Sequence, residues 1–151
     1  MTFGKTFLLA AVLAAAASAT AARAESACRP AQAGEYAAVS MRLAAENTDT
    51  DPAGIWTKWQ MWNPFTPRRT TIWMGSASAC GGQVVVSQIV NRQCSSAAEC
   101  PARVVFQQGE TRHVLLDYKQ ICTLHQTFRV RADLTALEAC GQSFPLDSAI
   151  H

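Results

Sequence analysis

The side chains best equipped for chemistry in this sequence are six cysteines, three histidines and a cluster of tryptophans followed by two arginines. The cysteines, Cys28, Cys80, Cys94, Cys100, Cys122 and Cys140, could hold metal or exchange electrons as thiols, or be spent on cross-links. No Cys-x-x-Cys occurs, which removes the thioredoxin-type, zinc-ribbon and c-type haem spacings together. Cys122-Thr-Leu-His125, with His113 nearby, could give three ligands to zinc or copper. An even cysteine count in a small exported chain instead reads as three disulfides, which claims Cys122. No metal and no cofactor are therefore expected. Cys94 and Cys100 bracket the polar Ser-Ser-Ala-Ala-Glu and are expected to staple a loop between two strands. Cys122 and Cys140 flank the last strand-like segment and its turn. Cys28 is expected to tie the N-terminal arm to the body through Cys80.

Catalytic constellations are not evident. His113 and Asp117 share a strand face but lie about 13 Å apart along it, beyond hydrogen-bond reach. Gly75-Ser76-Ala77-Ser78 lacks the Gly-x-Ser-x-Gly elbow. There is no His-Glu-x-x-His, phosphate-cradling loop or dinucleotide fingerprint. The acidic residues are too scattered to nominate a glycosidase pair. The third histidine, His151, is at the terminus. The reading leans away from an enzyme.

The tryptophan segment runs Gly54-Ile-Trp56-Thr-Lys-Trp59-Gln-Met-Trp62-Asn-Pro-Phe65-Thr-Pro-Arg68-Arg69. Read as a strand, its period of two puts Ile55, Trp59 and Met61 in the core and leaves Trp56 and Trp62 partly exposed beside Arg68 and Arg69. Trp with Arg is the composition enriched at binding hot spots. These four residues are the candidate binding site. The competing reading, which carries more weight in a small β-domain, packs the tryptophans in the sheet with an arginine over a ring. The triplet and Cys80-Gly-Gly are also similar to features of the thrombospondin type 1 repeat. However, 17 residues separate Trp62 from Cys80, the cysteine expected after the triplet is missing, and only Arg92 stands where several arginines should alternate. Membership is not adopted. Gly54-Ile-Trp56 is similar to the Gly-x-Trp that opens lipocalin barrels, which keeps a ligand-holding barrel as an alternative.

The elements that must position these residues read as short strands. Ile55 to Trp62, Thr70 to Met74, Gln83 to Val90, Arg103 to Gln107, Arg112 to Tyr118 and Ile121 to Val130 are rich in β-branched and aromatic residues, with Gly, Pro and Asn between them. Gly109-Glu110 is the turn of an expected hairpin. Phe128 and Val130 alternate with Arg129 and Arg131, as one buried and one wet face require. The segment from Asp133 to Cys140 fits either a helical turn capped by Asp133 or a final strand ending at Gly141. From Gly34 to Asn47 the spacing of Tyr36, Val39, Met41, Leu43 and the alanines predicts a short helix, ended by Asn47-Thr-Asp-Thr-Asp-Pro52. The expected fold is mainly β, a small antiparallel β-barrel or β-sandwich with a short N-terminal helix, stabilised by disulfides. With no internal repeat or low-complexity linker, it is one domain.

Targeting completes the reading. Lys5, the apolar run Phe7 to Ala17 and Ala22-Arg23-Ala24 have the three zones of a signal peptide over residues 1–24, with cleavage before Glu25. The run is too short for a membrane span, and no later segment is long enough. Residues 25–151 are then the mature domain, 127 of the 151 residues once 24 are removed. The chain has 13 basic and 11 acidic residues, and losing Lys5 and Arg23 makes the mature part neutral. Neutrality argues against nucleic acid as a partner. The leader style suggests bacterial export, hence a periplasmic or secreted protein. The expected function is a non-enzymatic binding or inhibitor-type protein that recognises an envelope protein or glycan. The alternatives are a small-molecule carrier using a barrel interior, and an accessory or structural subunit of an export or surface assembly.

Overall fold

The structure is a computed structural model that describes residues 28, 34–62, 70–95, 99–122 and 127–147. The expected signal peptide, residues 1–24, lies outside these residues. Nine strands and one helical turn follow in chain order: β1 (Tyr36–Val39), β2 (Arg42–Thr48), α1 (Lys58–Met61), β3 (Thr70–Ala79), β4 (Gly82–Val90), β5 (Glu99–Gln108), β6 (Thr111–Cys122), β7 (Phe128–Arg131), β8 (Ala136–Ala139) and β9 (Gln142–Pro145). They form two antiparallel sheets, one ordered β1-β7-β8-β9 and the other β2-β3-β4-β5-β6. The sheets do not close into a barrel.

Alternation along the strands builds two cores. Val84 and Val86 of β4 and Val104 and Phe106 of β5 point into a cluster shared with Val39, Phe128, Val130 and Leu137 of the four-stranded sheet. Each such side chain, fully buried, contributes roughly 1.5–3 kcal/mol. The intervening residues Ile89 and Val105, with Ile72 of β3, project from the opposite face and meet Ile55, Trp56 and Met61. The five-stranded sheet is thus apolar on both faces, and the segment after β2 covers the second one.

Close approaches are met by small residues. A side chain at Gly75 would sit 2.5 Å from the Ser40 carbonyl oxygen and 2.7 Å from Val39 Cγ1, where the chain passes from one sheet to the other. The triplet Ala-Cys-Gly occurs twice, and each copy makes a hairpin tip. Ala79 pairs with Gly82 and Ala139 with Gln142, leaving Cys80-Gly81 and Cys140-Gly141 as two-residue turns. Their φ values of 49°, 69°, 54° and 72° are positive at both positions, as a type I′ turn requires.

Three disulfides join Cys28 to Cys80, Cys94 to Cys100 and Cys122 to Cys140. Two of them involve the Cys-Gly tips: Cys28–Cys80 ties the N-terminal arm to the β3–β4 tip, and Cys122–Cys140 links the two sheets. The Cys80 tip lies by the Ala132 carbonyl, just past β7, while Cys122 ends β6 opposite Glu99 and reaches the β8–β9 tip. Cys94–Cys100 staples the β4–β5 connection. Among the described residues, no helix is long and apolar enough to cross a membrane.

The Gly109-Glu110 hairpin forms, with Gln108 opposite Thr111. Phe128 and Val130 are buried while Arg129 is exposed. The segment after Asp133 is a strand, and Asp133 accepts from the Thr135 backbone in a turn rather than capping a helix. The N-terminal helix expected over 34–47 is a correction: β1 and β2 occupy that stretch, paired with β7 and β3 respectively. Pairing with β7 and β3 outweighs the helical preference of its alanines. Ile55 to Trp62 is likewise a loop and a helical turn, not a strand.

Candidate functional site

The site is built on residues 49–62, which leave the edge strand β2 and fold back across the five-stranded sheet. Asp51 organises the return. Its Oδ1 accepts from the Ala53 N–H at 2.9 Å, and its Oδ2 from those of Ile55 at 2.6 Å and Trp56 at 2.8 Å. Gly54 takes the positive φ of 62° that this tight path needs. Arg112 of β6 donates to the carbonyls of Ala53 and Gly54 at 3.1 and 3.2 Å. Arg103 of β5 donates to the Ile55 carbonyl.

Trp56 is the anchor. It is 4% exposed, its Nε1 donates to the buried Ser87 Oγ at 2.8 Å, and Tyr118 meets it edge-on at 6.4 Å. The Arg103 guanidinium lies 5.4 Å over its ring, a cation–π contact. Asp117 Oδ1 accepts from Arg103 Nε and Nη2 at 2.8 and 2.6 Å. Tyr118, whose hydroxyl donates to Gln93 Oε1, has its phenol pKa raised by partial burial. Arg103 thus ties the Ile55 carbonyl, the Trp56 ring and Asp117 together.

The helical turn follows at once. Thr57 caps it, its Oγ1 accepting from the Gln60 N–H at 3.3 Å, while Gln60 Oε1 accepts from the Thr57 N–H at 2.9 Å. This reciprocal pair is a capping box. Met61 enters the second core, and its carbonyl accepts from Thr70 Oγ1 at 3.1 Å. Helical spacing then puts Trp59 and Trp62, three residues apart, on the same outer side. Trp59 is 80% and Trp62 50% exposed, with ring centroids 5.7 Å apart at an interplanar angle of 77°. They and Lys58 line an open cleft of ≈ 250 Å³.

Comparison with protein-family models, with curated proteins and with solved structures finds no match.

The structure thus changes the expected site in two places. Trp56 is buried, not exposed, and takes the packed role with an arginine over its ring. Trp59, expected inside, is the most exposed tryptophan of the described residues. Trp59 turns outward because a helical period replaces the period of two at Lys58, while Trp56, ahead of that turn, is buried by the loop that Asp51 holds across the sheet. Trp62 is half-exposed, as expected. Arg68 and Arg69 lie outside the described residues, as do His125 and His151. Cys122 is half of a disulfide, and among the described residues no group of three His, Cys, Asp or Glu side chains could hold a metal ion. The missed signal was Thr57-x-x-Gln60, a capping-box spacing that announces a helix start.

Proposed function

We propose that this chain is exported, cleaved after residue 24 and oxidised outside the cytoplasm, where residues 25–151 act as one non-enzymatic binding or inhibitor-type domain. The sheets face one another as a disulfide-braced sandwich. The partner is a macromolecule of the cell envelope, bound through Trp59 and Trp62 with Arg68 and Arg69 following in the chain. One observation carries the reading: two indoles are held in water on a turn that is itself capped, clamped by two arginines and anchored by a buried tryptophan. Exposing this much aromatic surface on a fixed support costs solvation free energy that a bound partner returns. A carrier function is supported less, because the sheets leave the barrel open and their shared core is filled by side chains.

The test uses oxidised protein as bait against bacterial envelope extract, beside the W59A/W62A double variant. The expected result is a macromolecule retained by the wild-type chain and lost with the variant. Equal retention by both, or retention by neither, contradicts the proposal. Turnover in a hydrolase panel would overturn its non-enzymatic part.

A further inference from the structure

The shape and charge of the Trp59–Trp62 cleft narrow the class of partner, on the premise that this surface is the binding site. A cleft of ≈ 250 Å³ open to solvent is below the ~300–1,000 Å³ of pockets that enclose a drug-sized molecule. It can seat one ring against two walls. The walls are indoles at 77°, so one offers a face while the other offers an edge. An aromatic face carries negative quadrupole charge. It therefore attracts the weakly positive C–H bonds on the flat side of a pyranose.

Among the described residues, the exposed apolar surface at the cleft is that of two indoles. A standard protein interface takes about 800 Å² from each partner around a desolvated apolar centre. Leu43, Val114 and Tyr118, the other exposed large apolar side chains among the described residues, stand on β2 and β6. Two exposed indoles beside a lysine, with Met61 of the same turn buried, suit a sugar ring.

Charge gives the sign of the ligand. No Asp or Glu occurs between Asp51 and Glu99, while Lys58, Arg68, Arg69 and Arg92 fall within that stretch. Of these cations, Lys58 lines the cleft itself. The acid-free stretch includes all of β3 and β4. We propose that the Trp59–Trp62 cleft binds one sugar ring of an anionic polysaccharide, the ring lying on an indole and its carboxylate or phosphate meeting the Lys58 ammonium.

The experiment titrates the oxidised protein by calorimetry with oligomers of polygalacturonate, alginate, hyaluronan and a phosphomannan. The neutral comparator of each is the same oligomer with its carboxylates methyl-esterified or its phosphates removed. At least one acidic oligomer should bind, at least tenfold more tightly than a neutral comparator of the same backbone. W59A and W62A should each weaken it at least tenfold with near-UV circular dichroism preserved, and K58Q should bring it close to the neutral level. No binding to any acidic oligomer, or equal binding of acidic and neutral forms, overturns the assignment. Binding to phosphatidylglycerol vesicles through the same residues without saccharide binding also overturns it, in favour of a lipid surface. A protein partner lost on W59A/W62A, with no saccharide bound, defeats this inference while leaving the binding reading intact.

Discussion

The Trp56 indole N–H donates a 2.8 Å hydrogen bond to Ser87 Oγ, with both side chains buried against the outer face of the five-stranded sheet. This bond fixes the covering segment to β4, and so fixes where the capped turn presents Trp59 and Trp62. S87A leaves a buried indole N–H without its partner and should cost about 1–3 kcal/mol. Urea melts would measure it. An unchanged midpoint would mean that the covering segment is held elsewhere.

Arg103 joins three parts of this arrangement, the Ile55 carbonyl, the Trp56 ring and Asp117. Its side chain is 12% exposed against 59% for Asp117. R103A should therefore be much more disruptive than D117N, because an ion pair with one exposed member contributes little, about 0–1 kcal/mol. The readout is the Trp emission maximum, red-shifted in R103A and nearly unchanged in D117N. Equal shifts would give the ion pair, not the clamp, the main role.

The cross-links should rank by the chain they close. Sequence separations are 52 for Cys28–Cys80, 18 for Cys122–Cys140 and 6 for Cys94–Cys100. Loop-closure entropy then gives about 4, 3 and 2 kcal/mol respectively. Paired Cys→Ser variants, melted one pair at a time, check the order. A chain with all six replaced by Ser should lack a cooperative melt near that of the oxidised form.

Two glycines separate crowding from backbone strain. G75A places a methyl against the Ser40 carbonyl and Val39 at the point where the sheets join, so it should lower stability by several kcal/mol. Gly109, with φ of 59° and open space around it, should cost only about 1–2 kcal/mol as Ala, from left-handed strain alone. Thermal melts of the two variants should differ in that order.

Much of the fold can be read from alternation and turns. Phe128-Arg129-Val130 and the Gly109-Glu110 hairpin declare their own geometry, and Cys94 and Cys100 flank the connection that their disulfide closes. Tyr36 to Thr48 does not. Its alanines and the Tyr36–Val39–Leu43 spacing fit a helix, and only contacts with β7 and β3, distant in sequence, make it extended. The tryptophan segment misleads in the opposite way. Aromatic density suggests a strand, while Thr57 and Gln60 carry a local helix-start signal that density obscures. The burial of Trp56 also depends on Ser87 and Arg103, 31 and 47 positions further along by residue number, which no local pattern reveals.

The central claim is that Trp59 and Trp62 form the surface that meets the partner. Acrylamide quenching of tryptophan emission, in wild type and in W59F/W62F, tests it most directly, before and after addition of the captured envelope fraction. The account predicts a red-shifted, quencher-accessible component that is absent from the variant and becomes protected on addition. Blue-shifted emission that acrylamide cannot reach in the free wild-type protein, or accessibility unchanged by the bound fraction, would contradict it.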